Sequence, residues 1–295
     1  MYLKEVKQIY HKELDGIYPK EEVDSFFYLL VEHYLGLERF VLVVQPNLVI
    51  TKEEEKPFFS ALSRLKLQCP LQYITGETSF MDLDLEVDAN VLIPRPETEE
   101  LVHWIIDKTG QSGRHGKWNQ KIKILDIGTG SGCIAISLAK NLSNAKIYAL
   151  DVSSVAIEVA QRNAFNNEVE VEFMEGDILD PPILEDKFDI IVSNPPYVRN
   201  LEKQEIQDNV LEYEPHLALF VSDENPLIFY KAIAQFAVNH LSQNGSLYLE
   251  INQYLGKETE QLLKEYNFSE IELRKDMFGN DRMLKAVLQY HDENE

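Results

Sequence analysis

Cysteine and long apolar runs are scarce in this sequence, and each scarcity excludes a class of protein. The 295 residues include two cysteines, Cys69 and Cys133, without the spacing of a zinc site. We therefore expect buried free thiols in a reducing cytoplasm, where disulfides are rare. No apolar run approaches the roughly 20 residues of a membrane span, and the N-terminus lacks the basic-then-apolar order of a signal peptide. A cytoplasmic protein without a membrane partner is predicted.

Positive charge is scarce as well, with 28 Lys and Arg against 50 Asp and Glu and a net charge of −22. Nucleic-acid-binding proteins usually neutralise phosphates with clustered basic residues, and no long basic run occurs here. We therefore expect no direct nucleic-acid substrate, although an acidic surface that only aids solubility is an equally good interpretation. The 7 histidines form no metal-ligand or nucleophile-pairing pattern, which argues against a metal site and against a hydrolase triad.

The first 70 residues carry helical periodicity and no chemical motif. One helical face of residues 21–35 collects five apolar side chains, namely Val23, Phe26, Phe27, Leu30 and Tyr34. Thr51 and Glu54 predict a capping box at the start of another helix. Because Pro57 would lie inside that helix, the residue at which the helix begins is not fixed by the sequence. A small helical bundle is predicted.

A period-two pattern over 78–91 predicts a hairpin or a pair of strands, and 109–120 is predicted to be a surface loop. Beyond it, apolar strands alternate with helical patterns. The predicted strands are 121–127, 146–152, 169–173, 188–194 and 246–251, and the predicted helices include 131–141, 153–163 and 226–241. This alternation predicts an α/β, Rossmann-like, doubly wound sheet with ligands at the carboxyl ends of its strands.

A glycine-rich segment, LDIGTGSG (125–132), directly follows the first of these strands. Its three glycines allow a tight turn and bring amide N–H groups close to an anionic ligand. Asp151 ends the next strand, where its carboxylate can accept both hydroxyls of a ribose. Because NAD and S-adenosylmethionine proteins share this pairing, both cofactors stay open at this point. The candidate cofactor-binding residues of the loop are Gly128, Thr129, Gly130, Ser131 and Gly132.

The third strand leads into EGDILD (175–180), which offers two further candidates for cofactor binding. Asp177 is placed to contact an adenine amino group, and Ile178 to pack on the ring. An acidic loop or a helix cap explains Asp177 equally well.

The segment Ser-Asn-Pro-Pro-Tyr (193–197) follows the fourth strand, and its prolines free backbone carbonyls from sheet pairing. The Asn194 side-chain oxygen and the Pro195 carbonyl can accept both hydrogens of one –NH2 group, while Tyr197 stacks on the flat group that carries it. Asn194, Pro195 and Tyr197 are the candidate catalytic residues, and with Pro196 they form the candidate substrate pocket. Such a pocket predicts methyl transfer to a planar –NH2 nitrogen by positioning and electrostatics. A rigid turn is the structural alternative.

Through these and further motifs, nearly the whole chain resembles the HemK/PrmC protein-(glutamine-N5) methyltransferases. NPPY alone is shared with adenine and guanine amino methyltransferases, whereas PLQYITG with IPRPETE is far more specific. The matching segments are PLQYITGETSF (70–80), VLIPRPETEELV (91–102), LDIGTGSG (125–132), FDIIVSNPPYV (188–198), YEPHLALF (213–220) and KDMFGNDR (275–282).

The resemblance implies three regions: an N-terminal helical substrate-recognition domain (1–70), a linker with a β-hairpin (71–92) and a seven-stranded S-adenosylmethionine methyltransferase domain (93–295). It implies S-adenosyl-L-methionine as cofactor and S-adenosyl-L-homocysteine as product. The implied partners are peptide chain release factors, methylated on the glutamine of a Gly-Gly-Gln loop. Asn194 then belongs to the cofactor site as well as to the glutamine pocket.

Two positions and two other functions stay open at this point. Asn252 stands in EINQYLG (250–256) where a glycine is more usual, and Glu214 either reaches the site or, more simply, packs or caps. The main alternative function is a nucleic-acid amino methyltransferase that acts on adenine or guanine, and a non-enzymatic nucleotide-binding or scaffold protein is the third.

Overall fold

The computed structural model describes residues 1–114 and 121–289, in which the chain folds into two units. The first consists of Met1–Glu77 with Gln207–Tyr213, and the second of the described residues in Thr78–Ile206 and Glu214–Glu295. The helices are α1 Leu3–Leu14, α2 Lys20–Leu35, α3 Val41–Val44, α4 Lys52–Leu65, α5 Leu71–Thr75, α6 Pro96–Arg114, α7 Cys133–Asn141, α8 Ser154–Asn166, α9 Asp208–Tyr213, α10 His216–Leu219, α11 Ile228–His240 and α12 Gly256–Glu265, with a 3-10 turn at Asn200–Glu205. The strands are β1 Glu77–Phe80, β2 Leu83–Glu86, β3 Ile122–Ile127, β4 Ala145–Asp151, β5 Val171–Glu175, β6 Phe188–Ser193, β7 Val198–Arg199, β8 Phe220–Val221, β9 Leu241–Glu250, β10 Phe268–Lys275 and β11 Asp281–Leu288.

The first unit is helical, as predicted, and its core is aromatic. Tyr10, Phe27 and Phe58, from α1, α2 and α4, are each fully buried. The Tyr10 hydroxyl donates to the Phe58 carbonyl at 2.6 Å, so this buried polar group is satisfied. The rings of Tyr10 and Phe27 meet edge to face at 5.8 Å, a favoured aromatic geometry.

Helix α4 begins with the predicted capping box. The Thr51 hydroxyl accepts from the Glu54 amide at 3.2 Å, and the Glu54 carboxylate accepts from the Thr51 amide at 2.7 Å. Pro57 lies inside the helix although it lacks an N–H. The helix continues because Phe58 and Leu65 are buried on its inner face.

The predicted hairpin is confirmed as a two-stranded sheet of β1 and β2. Met81 and Asp82 form its turn with φ of 53° and 58°. Positive φ at both central residues matches the right-handed twist of the paired strands, even without the usual Asn-Gly sequence.

The second unit contains a seven-stranded sheet in the order β10-β11-β9-β6-β3-β4-β5. Strands β9, β6, β3, β4 and β5 are parallel, so their carboxyl ends share one edge, whereas β11 runs antiparallel to both of its neighbours, β9 and β10. The strand order reverses between β3 and β6, where doubly wound folds form ligand crevices. The predicted fold class is confirmed.

Both faces of the sheet are covered, which explains the almost continuous apolar sequence of its parallel strands. Ile124 packs in one buried cluster with Leu101 and Ile134, from α6 and α7. The next residue, Leu125, packs in the other cluster with Ile233 of α11. Alternate side chains of one strand thus belong to opposite layers.

One prediction was wrong in part. Residues 109–114 continue α6 and are not a surface loop, while residues 115–120 lie outside the described residues. Thr109 is buried and its hydroxyl donates to the Ile105 carbonyl at 2.7 Å, as helical threonines do. No helix in the described part of the chain is both long and apolar enough to cross a membrane.

Candidate active site

A cavity of about 240 Å³ opens at the carboxyl ends of β3, β4 and β6, at the reversal of strand order. Most of the site residues predicted from the sequence contribute to its wall. They are Gly128, Thr129, Gly130, Ser131, Asp151, Asp177, Ile178, Asn194, Pro195 and Pro196. Gly132 and Tyr197 lie outside this lining. The fold therefore brings four separate segments of the chain to one cavity.

The glycine loop exposes its backbone to the cavity. Gly128 and Gly130 have φ of 74° and 55°, and a Cβ added to either would meet no atom within 4 Å. Gly132 differs, because its added Cβ would lie 2.8 Å from Ile136 Cδ1 and 3.1 Å from Ala160 Cβ. The first two glycines keep a space open, whereas Gly132 allows α7 to approach α8.

Asp151 joins the glycine loop to the end of β4. Its Oδ2 accepts from the Gly130 amide at 2.8 Å, and its Oδ1 accepts from the Ser153 amide at 2.9 Å. Burial raises the pKa of Asp151, against the effect of these backbone donors. Because each carboxylate oxygen has a second lone pair, the side chain can also accept hydroxyl groups from a ligand in the cavity.

Asp177 and Ile178 follow β5 and form another part of the wall. Asp177 Oδ1 accepts from the Leu179 amide at 2.9 Å, so one oxygen braces its own turn. The side chain therefore has the structural role that the sequence offered as an alternative, while it also lines the cavity. Ile178 belongs to the buried cluster beneath it.

Asn194 follows β6, and the nitrogen of its side-chain amide forms a hydrogen bond within the protein. Its Nδ2 donates to Thr98 Oγ1 at 3.2 Å. Within residues 1–114 and 121–289, no protein donor binds Asn194 Oδ1. Pro195 and Pro196 continue along the cavity wall. The site therefore presents an unoccupied amide oxygen beside a proline-fixed backbone.

Tyr197 is directed to an ionic network behind the wall. Its hydroxyl donates to Glu250 Oε1 at 2.9 Å and accepts from Arg282 Nη1 at 3.3 Å. Burial, followed by the charge of Glu250, raises the pKa of Tyr197 well above its usual value. Stacking of Tyr197 on a substrate stays a prediction.

Residues outside the cavity motifs brace the cavity wall. Glu214 is buried, accepts from the Ile93 amide at 3.2 Å and forms an ion pair with Arg95. Pro94 and Arg95 line the cavity, so Glu214 fixes the wall by packing and does not itself line it.

Asn252 also has a bracing role, which the sequence did not predict. Its Nδ2 donates to the Tyr197 carbonyl at 2.9 Å and to Glu202 Oε2 at 2.8 Å. Its Oδ1 accepts from the Tyr254 amide at 2.9 Å. A glycine at this position would leave the end of the Asn-Pro-Pro-Tyr segment without this tie.

Asp126, directly before the glycine loop, is fully buried beneath it. Burial raises its pKa to about 7, the hydroxyl of Thr129 opposes that shift, and the charge of Asp151 adds to it. Thr129 donates to Asp126 Oδ2 at 2.7 Å, and Oδ1 has no hydrogen-bond partner in the described part of the chain. The motif contained this residue, but its burial was not evident from the sequence.

The described residues contain no group of three or more metal-ligating side chains. The cavity is lined by the backbone of the glycine loop, the carboxylates of Asp151 and Asp177, and the Asn194 amide beside Pro195 and Pro196. These groups can bind a polar nucleoside-like molecule and hold a planar –NH2 group.

Two domain families match this chain. The family described as PrmC N-terminal domain matches residues 11–76, and the family described as Methyltransferase small domain matches residues 115–217.

Curated bacterial proteins named release factor glutamine methyltransferase match most of the chain. The protein from Flavobacterium psychrophilum is 53% identical over 97% of this chain and 99% of its own. That from Bacteroides thetaiotaomicron is 39% identical over 93% and 96%, and that from Lactococcus lactis 44% over 80% and 84%.

Solved structures share the fold. The T. thermophilus 16S rRNA guanine N2 methyltransferase, in complex with AdoMet and guanosine, superposes with a TM-score of 0.51 at 19% identity, over 72% of this chain and 50% of that one. The hMettl16 catalytic domain superposes with a TM-score of 0.55 at 16% identity, over 80% and 83%. At these identities the likeness shows the fold alone.

Proposed function

The chain belongs to the release factor glutamine methyltransferases, and we propose that it methylates the side-chain nitrogen of a glutamine in peptide chain release factors. The observation that carries this proposal is the position of Asn194 and Pro195 on the cavity wall, with no donor to Asn194 Oδ1 among the residues that the structure describes. The cofactor is S-adenosylmethionine.

The cofactor fits the cavity by the chemistry of its wall. The open backbone at Gly128 and Gly130 suits the methionine end, and Asp151 suits the ribose hydroxyls. Asp177 and Ile178 are assigned to the adenine, with Thr129, Ser131 and Gly132 completing the loop. Asn194 is the point at which the cofactor and substrate regions meet.

A glutamine amide nitrogen is a poor nucleophile because its lone pair is delocalised. Asn194 Oδ1 and the Pro195 carbonyl accept its two hydrogens and favour a tetrahedral nitrogen, with the lone pair directed to the methyl group. When bound, S-adenosylmethionine supplies that methyl group as an electrophilic sulfonium substituent.

Held by Asn194 and Pro195, the nitrogen would form a bond to the methyl carbon that bound S-adenosylmethionine supplies, with cleavage of the carbon–sulfur bond and S-adenosylhomocysteine as the other product. The positively charged nitrogen loses a proton afterwards, so no strong base is required in the pocket. Pro196 and Tyr197 keep the segment rigid, and stacking by Tyr197 would orient the flat amide. Catalysis of this kind depends on positioning and electrostatics.

The glutamine must come from an exposed loop, because a site at the sheet edge needs an extended substrate segment. A Gly-Gly-Gln loop satisfies that requirement. We assign recognition of the remaining release factor to the helical domain, residues 1–70, with 71–92 as linker and 93–295 as the methyltransferase domain. A translation factor as partner places the reaction in the cytoplasm.

The alternative substrate is an exocyclic amino group of adenine or guanine, which fits the same two acceptors. The net charge of −22 disfavours it, since phosphate backbones bind to basic surfaces.

A labelling experiment tests the assignment. The enzyme and labelled S-adenosylmethionine are incubated in parallel with a release factor, with duplex DNA and with ribosomal RNA. We expect label in the release factor alone. Preferential labelling of either nucleic acid would transfer the assignment to a nucleic-acid amino methyltransferase.

A further inference from the structure

A chain of hydrogen bonds runs from the cavity wall into the protein interior behind Asn194. Asn194 Nδ2 donates to Thr98 Oγ1 at 3.2 Å, and Thr98 Oγ1 donates to Glu250 Oε2 at 2.7 Å. Thr98 and Glu250 are 2% and 1% exposed, so water does not compete for these bonds. Thr98 lies at the start of α6 and Glu250 at the end of β9.

The direction of each bond in this chain is fixed by the carboxylate. An ionised carboxylate only accepts, and Glu250 accepts from Thr98 on one oxygen and from the Tyr197 hydroxyl on the other, at 2.9 Å. Thr98 has a single hydroxyl hydrogen, which it donates to Glu250. Its oxygen can therefore only accept from Asn194, and the Asn194 amide must turn its nitrogen to Thr98 and its oxygen to the cavity.

That orientation decides what the site can bind. With Oδ1 toward the cavity, Asn194 accepts a hydrogen of a substrate –NH2 group. A flipped amide would present Nδ2, whose hydrogens would oppose those of the substrate.

We propose that Glu250 and Thr98 are positioning residues that set the direction of the Asn194 amide and thereby make the site a receptor for an –NH2 group. This inference rests on the proposed function and adds to it the residues that orient its catalytic amide.

The neighbours of Glu250 offset part of the cost of burying its charge. Burial raises its pKa, whereas the hydrogen bonds from Thr98 and Tyr197 and the charge of Arg282 lower it, and Glu97 adds to the rise. Arg282 is itself ion-paired with Asp276 at 3.3 Å.

Paired substitutions separate this role from simple stability. Glu250→Gln preserves the shape of the side chain but adds an N–H donor. The Thr98 hydroxyl can then accept from residue 250 and donate to Asn194, which allows the Asn194 amide to flip. Thr98→Val preserves volume and removes the hydroxyl, whereas Thr98→Ser keeps it. We expect the first two to lower kcat for release factor methylation by roughly 10- to 100-fold, the scale of losing one aligned polar group. Thr98→Ser should recover most of that loss.

Binding measurements supply the readout that a merely structural role would not give. Calorimetric Kd for S-adenosylmethionine should stay within about 3-fold of wild type in all three variants, because the glycine loop and Asp151 are not altered. In an Asn194→Ala background, Glu250→Gln should cause no further loss, since the group that it orients is absent.

The outcomes are distinct. A wild-type enzyme that leaves release factor unmethylated would refute the proposed function itself. If the wild type is active, three results would overturn the positioning role alone. They are full turnover in Thr98→Val, a loss of turnover in Thr98→Ser equal to that in Thr98→Val, and a further loss when Glu250→Gln is added to Asn194→Ala. If Glu250→Gln does not fold, the Thr98 pair decides the question.

Discussion

Asn194 shows, at the scale of a single residue, how one amide can serve two environments. Its Nδ2 is bound by Thr98 in the interior, while its Oδ1 has no donor among the described residues and lies beside Pro195 on the cavity wall. The protein therefore offers acceptors to the cavity at the place where an amide substrate brings donors.

Replacement of Asn194 by alanine tests this directly. Asn194→Ala should lower turnover by at least about 100-fold, the usual scale for removing one positioned polar group, because the substrate nitrogen loses one of its two acceptors. Affinity for S-adenosylmethionine should fall much less. Single-turnover kinetics and calorimetry measure the two effects, and near-wild-type turnover would exclude the two-acceptor mechanism.

A second prediction concerns Asp126 and pH. Its pKa in the folded protein is raised to about 7, mainly by burial, so the folded state retains a proton that the unfolded chain releases near pH 4. The contribution of this group to stability is therefore full below about pH 4, is lost as pH rises to about 7, and is constant above.

Asp126→Asn removes that dependence, while its side-chain oxygen can still accept from Thr129. Relative to wild type, the variant should gain unfolding free energy between about pH 4 and 7, by an amount on the order of 4 kcal/mol at most. Urea unfolding of both proteins across this range provides the measurement. Parallel pH profiles would show that the folded state does not raise the pKa of Asp126 above that of the unfolded chain.

Sequence reasoning identified cavity-lining residues where they are contiguous in motifs. The glycine loop, Asp151 and Asn194 each follow a strand, and parallel strands bring such positions to one edge. Thr98 and Glu250 are 152 residues apart, so nothing local indicated that one orients the other. Asp126 was visible in the motif, but its raised pKa comes from burial that only the packed sheet creates.

At the scale of secondary-structure elements, the junction of the glycine loop with α7 combines two requirements. Gly130 has φ of +55° and open space for a Cβ, whereas Gly132 has φ of +84° and close contacts with Ile136 and Ala160. Both positions disfavour a side chain because of their positive φ. At Gly132, but not at Gly130, an added Cβ would also obstruct the approach of α7 to α8.

This difference predicts unequal effects of the same substitution. Both Gly130→Ala and Gly132→Ala should lose stability to left-handed strain. Gly132→Ala should lose about 1–2 kcal/mol more, because its Cβ overpacks the helix contact. Chemical denaturation without cofactor compares them, with Gly130→Ala as the matched control. Equal losses would mean that the helices adjust freely.

Elements were predictable where both faces of a strand are buried. Strands β3, β4, β6 and β9 contain apolar runs, whereas β5 alternates apolar residues with glutamate and is partly exposed; each strand appears within a few residues of its expected place. Strands β10 and β11 were implied by the family resemblance but not by periodicity, because SEIELRK in the edge strand β10 is mostly partly exposed and charged. Residues 109–114 of α6 were predicted to be part of a surface loop because their sequence contains glycines and polar residues.

At the scale of the whole molecule, the net charge of −22 creates a long-range field around the enzyme. A release factor that binds ribosomal RNA needs basic surface, so association should be electrostatically steered. Raising ionic strength from about 0.05 to 0.5 M shortens the Debye length and should slow association. Stopped-flow measurements, with sucrose at equal osmolality as control, test this prediction; a rate independent of salt would remove any steering role.

The most direct test of the proposed reaction is to map the methyl group on the partner. The enzyme is incubated with labelled S-adenosylmethionine and a release factor, in parallel with a release factor whose loop glutamine is replaced by alanine, and both are sequenced by tandem mass spectrometry. We predict one methyl group on the side-chain nitrogen of the Gly-Gly-Gln glutamine and no label in the alanine variant. Equal labelling of that variant, or a methyl group at any other residue, would contradict the assignment of the cavity to a glutamine amide.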